Sequence, residues 1–260
     1  MHPYLIEIAS FRLPTYGVMV ALAFLAGLTV TSRLAKRAGL DPERVLNLAM
    51  YCAVAGILGA KIAMILEDLD YYASRPLEIF SLSTLQAAGI FYGGLIGALL
   101  IAWWYMRKAG LPLLATADTF APGVALGHAI GRIGCFAAGC CWGTQCDRPW
   151  AVTFTSKEAQ DLVGVPLNVP LHPSQLYESA AEFAIFAFLY WRIGKPHARG
   201  AIIGWYLVLY SCVRFAVDFV RRQDEAGRVN GILTNAQWVS LALIALALVN
   251  WIRLRNRPAM

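Results

Sequence analysis

Residues 113–137, LLATADTFAPGVALGHAIGRIGCFA, decide the fold. The stretch exceeds the roughly 20 residues that a helix needs to cross about 30 Å of hydrocarbon. It nevertheless carries Asp118, His128 and Arg132. Ionisable side chains inside a bilayer are expensive and turn toward a protein interior or a wet cavity. Gly127, Gly131 and Gly134 recur at helical spacing, leaving room for another helix or a lipid head group to approach the backbone. The stretch therefore reads as a membrane span that carries functional charge.

The rest of the chain supports that reading. Of 260 residues, 58% are hydrophobic and 15% are charged, and the mean hydropathy is +0.55. Soluble domains are nearer 45–50% apolar and about 25% charged. These proportions exclude a soluble enzyme, a disordered chain and a disulfide-rich secreted module. Seven apolar runs of spanning length are expected, at about 14–32, 45–66, 87–106, 113–137, 173–191, 200–220 and 235–252. The chain is thus expected to be an all-α polytopic membrane protein, a single seven-helix domain over 1–260. Pro173 suits the first turn of the fifth span. The start, with His2, Pro3 and Glu7, lacks the basic region of a cleavable signal peptide.

Charge sets the expected orientation. One set of alternate loops holds 12 basic residues, among them Arg33, Lys36, Arg107, Lys108, Arg192 and Lys195, against the two acids Asp41 and Glu43. The other set holds seven basic residues and ten acids. The positive-inside rule then puts the N-terminus outside and the C-terminus in the cytoplasm. The net charge of +6 is accounted for by topology and calls for no nucleic-acid partner. Both long loops, at about 67–86 and 138–172, fall on the outer face, and the second is long enough to be functional.

The ionisable residues left in the spans are candidates for the site. Arg132 lies one turn from His128, and a second cation does not neutralise the first. The pair suggests an anion site, most simply a phosphate, because a guanidinium fork matches phosphate oxygens. Arg214 and Asp218, four residues apart, are placed to neutralise each other. Gln175 and Glu178 share a helical face with Glu182 one turn on, and pairing with the arginines of spans four and six is their expected role. Arg221 and Arg222, where span six meets the outer surface, suit either a lipid phosphate or simple snorkelling.

Six cysteines are present. Cys52 and Cys212 lie in spans and read as small hydrophobes. Cys135, Cys140, Cys141 and Cys146 gather at the outer end of span four. An oxidising compartment makes a disulfide among Cys140, Cys141 and Cys146 the expectation, with the pairing left open. The spacing is not that of a zinc site, so no metal is expected.

The segment Gly131-Arg132-Ile133-Gly134-Cys135-Phe136-Ala137-Ala138-Gly139-Cys140-Cys141-Trp142-Gly143 resembles the signature of the prolipoprotein diacylglyceryl transferases. His172-Pro173-Ser174-Gln175-Leu176-Tyr177-Glu178 resembles the second recurrent stretch of that family. Weaker matches follow in order: Tyr16-Gly17, Tyr92-Gly93-Gly94-Leu95-Ile96-Gly97, and Arg214 through Arg221. The resemblance implies a multi-pass protein of the bacterial inner membrane with its active site toward the periplasm. It implies transfer of a diacylglyceryl group from phosphatidylglycerol to the cysteine thiol of a prolipoprotein or related acceptor, without a cofactor.

It also implies roles for residues. Arg132 and Arg214 correspond to arginines of the family pattern. Tyr16, Gly93, Gly94, His172, Gln175, Tyr177, Glu178, Asp218 and Arg221 fall where substrate contacts are expected. The chain departs from the pattern at four places. Tyr92 stands where the family has histidine, Cys135 where it has asparagine, Cys140 where it has glutamate, and Asp218 where it has glutamate. This makes it a divergent, cysteine-rich branch. With that histidine missing, His128 becomes the candidate base and Tyr92 a candidate hydrogen-bond donor to the lipid. The outer cysteines also fit a membrane thiol–disulfide oxidoreductase, and a non-catalytic lipid-binding relative is a third reading.

Overall fold

The computed structural model describes residues 3–8, 11–81, 84, 87, 89–222, 228–229 and 233–255. The chain opens with an antiparallel hairpin, β1 (Tyr4–Ile8) and β2 (Phe11–Pro14), followed by helix α1 (Thr15–Arg37). Helix α2 (Pro42–Glu67) starts on an Asp41 cap whose carboxylate accepts from the Glu43 amide at 3.0 Å, with proline at the first helical position. A short helix α3 (Leu69–Ser74) and a 3₁₀ turn (Pro76–Phe80) precede α4 (Phe91–Ala109), which stops at the left-handed Gly110. Helix α5 (Leu113–Ala138) leads into a long loop holding β3 (Val152–Thr153), α6 (Lys157–Val163) and β4 (Pro170–Leu171). Helices α7 (Ser174–Arg192), α8 (Ala201–Val217) and α9 (Asn235–Arg255) complete the chain, with a small β5–β6 pair (Arg228–Val229, Leu233–Thr234) before α9.

Each expected apolar run overlaps one of the long helices α1, α2, α4, α5, α7, α8 and α9. Of these, α1, α2 and the segment Asn235–Ile252 of α9 are long and apolar enough to cross a membrane by length and composition. Polar residues of the site interrupt α5 and α7, and α8 has only 17 residues. Ile57, Leu58, Ile62 and Leu66 on α2 and Ile96, Leu99 and Leu100 on α4 are exposed. Such rows of apolar side chains fit hydrocarbon, not water. The three short strand pairs were not expected from the sequence; they fasten loops and leave the fold helical.

The chain, expected as one domain, gathers into two compact units, 1–31 with 117–260 and 32–116; the boundaries fall within α1 and α5. In the second unit, α2 packs along α4. A Cβ at Gly93 would sit 2.5 Å from the Gly59 carbonyl oxygen, and one at Gly94 would sit 2.9 Å from that of Gly56. Both glycines, expected to touch substrate, have a packing role here: no side chain fits between the backbones. Tyr92, half exposed, lies in the first turn of α4. Lys61 donates to the carbonyl oxygens of Thr84 and Ala87 and so ties α2 to the loop that follows α3.

In the first unit, α8 packs between α7 and α9. Ala121, Ala125, Ile185, Leu189 and Ile202 form its buried core. Asp118, an acid in the middle of an apolar sequence, caps another helix. Its carboxylate accepts from the Gly200 amide at 2.6 Å and from the Ile203 amide at 2.8 Å. It therefore satisfies two orphan donors at the start of α8, 82 and 85 residues away. The 138–172 loop has a core of its own, with Phe154, Ala159, Val165 and Leu171 buried and Phe136 and Trp142 packed against them.

Candidate functional site

The first unit brings six of the sequence-selected charges around one carboxylate. Glu178, one turn into α7 and 2% exposed, points at α5 and at both ends of the segment 214–221. Its Oε2 lies 2.5 Å from Arg132 Nε. Its Oε1 lies 3.7 Å from Arg214 Nη1 and 3.6 Å from Arg221 Nη1. Arg214 also donates to Asp218 at 2.7 Å, and the other oxygen of Asp218 accepts from the Thr234 hydroxyl. Arg221 reaches the group because α8 ends at Val217 and the chain turns back. Its backbone pairs with Gly143, while Thr144 donates to the Val220 carbonyl at 2.8 Å.

His128 is held on two sides. Arg132 Nε donates to its Nε2 at 3.2 Å, and its Nδ1 faces Glu182 Oε1 at 3.4 Å. In this geometry the ring touches both Arg132 and Glu182 rather than standing free. Its Tyr210 neighbour, at 5.5 Å between ring centroids, closes another side. Glu182 is 1% exposed and completes the buried group.

Three guanidiniums thus contact two carboxylates, Glu178 and Asp218, and Glu182 adds a third across His128, so the formal charges of these groups cancel. The arginines are 14%, 14% and 19% exposed, so donors remain open to a ligand while the carboxylates are sealed. Buried carboxylates of this kind hold cations in place, since removing either partner strands a charge. The part-open guanidiniums offer donors that match phosphate oxygens, and fixed donors favour charge that grows on a departing oxygen.

The outer end of α5 adjoins this group. Gly139 at φ +79° and Cys141 at φ +61° turn the chain back, and the Cys140 amide donates to the Cys135 carbonyl at 3.1 Å. A non-glycine residue in the left-handed region costs about 1–3 kcal/mol and persists where its surroundings over-determine it. The first turn of α7 supplies that restraint. Ser174 Oγ donates to the Cys141 carbonyl at 2.8 Å and Gln175 Nε2 to the Cys140 carbonyl at 2.6 Å. Gln175, expected to bind substrate, therefore clamps the turn. His172 Nδ1 and the Tyr177 hydroxyl meet each other at 3.1 Å, and the His172 backbone pairs with Gly143 and Thr144.

All six cysteines are free thiols. The three that converge are Cys135, Cys140 and Cys141, with Sγ atoms within 4.8 Å of one another. The expected disulfide set had Cys146 in place of Cys135; Cys146 is buried and outside the group. Hydrogen bonding with the Cys135 and Cys140 thiols, aided by Arg221 and Arg132, holds the Cys141 thiol below the ordinary thiol range against the effect of burial. The same hydrogen bonds push Cys140 up. Tyr16, in the first turn of α1, interacts electrostatically with this trio and with Arg132. Gly134 admits it: a Cβ there would lie 2.8 Å from Met19 and 3.4 Å from the Tyr16 ring.

The fold is helical, with apolar faces that suit a membrane, and three part-open arginines surround a sealed carboxylate. The sequence model of the prolipoprotein diacylglyceryl transferase family matches residues 3–253, and the chain belongs to that family. It is 33% identical to the phosphatidylglycerol–prolipoprotein diacylglyceryl transferase of Clostridium tetani, over 95% of this chain and 96% of the relative. It is 36% identical to the enzyme of that name from Nitratidesulfovibrio vulgaris, over 99% of this chain and 94% of the relative. The Vibrio cholerae enzyme is 34% identical over 95% of this chain and 89% of its own length.

Proposed function

We propose that this chain transfers the diacylglyceryl group of phosphatidylglycerol to a cysteine thiol of a prolipoprotein. The observation that carries the reading is the convergence of Arg132, Arg214 and Arg221 on Glu178. The lipid phosphate accepts hydrogen bonds from the open guanidinium donors of this group. The acceptor thiolate attacks the glyceryl carbon next to the phosphate; a carbon–sulfur bond forms and the carbon–oxygen bond to phosphate breaks. The electron pair leaves with the phosphate oxygen, where the arginines stabilise it, and glycerol phosphate departs. Preorganised donors of this kind commonly contribute about 10²- to 10³-fold each to rate. Glu178 and His128 keep the arginines aimed while the substrate exchanges.

The protein sits, in this reading, in the bacterial inner membrane with seven spans, N-terminus outside and C-terminus in the cytoplasm. Support comes from the 12 basic residues of one loop set against its two acids. Helix ends assigned to the cytoplasm also stack cations on tryptophan: Arg107 over Trp103 at 4.4 Å and Lys195 over Trp191 at 5.8 Å. Tryptophan in such positions anchors helices at a membrane interface. On this topology the arginine group and the 138–172 loop open to the periplasm, where the acceptor arrives.

Purified protein in detergent, given phosphatidylglycerol labelled in its acyl chains and a lipobox peptide with one cysteine, tests the reading. Label is expected in the peptide, with release of glycerol phosphate. Arg132→Ala and Arg214→Ala are expected to lower the rate at least about 100-fold. Folded wild-type protein that moves no label overturns the proposal.

A further inference from the structure

The reaction needs a thiolate, and the geometry leaves the base unassigned. Both nitrogens of His128 are engaged, by Arg132 and Glu182. One turn along α5 from Arg132, three free thiols converge in a turn clamped by Ser174 and Gln175. From the arrangement of Cys135, Cys140 and Cys141 we infer a three-thiolate zinc site whose open fourth position receives the acceptor thiol and presents it as the attacking thiolate. This rests on the transferase reading above.

The geometry suits zinc. With Zn–S bonds of about 2.3 Å, tetrahedral thiolates stand about 3.8 Å apart. The Sγ atoms, already within 4.8 Å of one another, reach that spacing by small side-chain rotations. Among the described residues no fourth histidine, cysteine, aspartate or glutamate joins the group. Three protein ligands with one exchangeable position is the pattern of reactive zinc, while structural zinc is closed by four. Thiolates also select zinc over the harder magnesium and calcium ions.

Zinc with three thiolates carries one negative charge, and an added acceptor thiolate makes it two. A thiol bound to zinc is deprotonated outright. The step then balances without oxidation or reduction. The acceptor thiol loses its proton to solvent on binding zinc, and its sulfur takes the glyceryl carbon as the phosphate oxygen leaves with the bonding pair. The thioether product, a weaker ligand, frees the fourth position. Cys135 and Cys140 thereby acquire a use at the two signature positions where this chain departs from the family pattern.

The test uses the full-length protein in detergent. Zinc content by elemental analysis is expected near one equivalent in wild type and Cys212→Ser, and below a tenth of that in Cys135→Ser and Cys141→Ser. Cobalt(II) loaded in place of zinc is expected to give a thiolate charge-transfer band. A lipobox peptide with cysteine should shift it, and the same peptide with serine should not. Stripping wild type with a chelator should lower lipid transfer at least tenfold, and zinc should restore it, which separates metal loss from misfolding of variants. Wild type that binds no zinc, that holds two of the three thiols as a disulfide, or that transfers lipid at full rate when stripped overturns this proposal. Zinc bound at the trio and a cobalt band responsive to the peptide, with no lipid label moved, sustains the metal site and sinks the transferase reading instead.

Discussion

Gln175 donates its side-chain amide to the Cys140 carbonyl at 2.6 Å, tying the start of α7 to a turn 35 residues earlier. Gln175 is 1% exposed, so the bond is made away from water. It couples the two most recognisable stretches of the sequence. One carries Arg132 and the cysteines, the other Glu178.

Gln175→Leu keeps the side-chain volume and leaves the Cys140 carbonyl without this donor. A buried group deprived of its partner costs about 1–3 kcal/mol. Thermal unfolding in detergent should show a loss of that size. Ser174→Ala should lose less, because its smaller side chain leaves room for water. Equal stability of Gln175→Leu and wild type would contradict the clamp.

Glu178→Gln retains the shape of the hub and deletes its charge. Arg132, Arg214 and Arg221 then repel one another with the carboxylate they share removed. Transfer is expected to fall about 10²-fold. If the variant works at the wild-type rate, the carboxylate does not organise the arginines.

Arg214→Leu removes the cation beside Asp218, whose side chain is 0% exposed and keeps the Thr234 hydroxyl. Breaking a buried ion pair at one end costs about 3–5 kcal/mol. Adding Asp218→Asn should recover part of that stability and none of the transfer activity. A double-mutant cycle on unfolding free energies reads the coupling, which should exceed about 1 kcal/mol.

Asp118→Ala removes both acceptors at the start of α8 and should cost about 1–2 kcal/mol; Asp118→Asn keeps one acceptor but sets an NH2 donor against the other amide, so it should also destabilise. Transfer per folded molecule should be unchanged in both. A loss of rate with intact stability would place Asp118 in the reaction after all.

Much of this arrangement is legible in the residues. Apolar length finds the helices, and scarcity of charge singles out Arg132, Glu178, Arg214 and Asp218. Their pairing follows because a buried charge needs a partner. Other parts depend on long-range geometry that spacing does not encode. Asp118 looks like a site acid until the amides of Gly200 and Ile203 arrive beside it. Cys135 joins Cys140 and Cys141 only because the left-handed Gly139 and Cys141 fold the chain back on the helix end. Gly93 falls where the family resemblance implies a substrate contact, whereas α2 packs against it. Arg221 looks like an interfacial snorkeller until the pairing of 220–221 with 143–144 turns it inward.

The Asp118 cap also bears on how the chain is assembled. A helix made early supplies the acceptor for amides made some eighty residues later. When α8 leaves the ribosome, α5 is already synthesised and its carboxylate can be waiting. Reversing that order, by circular permutation or by expressing 1–195 and 196–260 as separate fragments with the second made first, would leave the Gly200 and Ile203 amides without this acceptor until α5 is made.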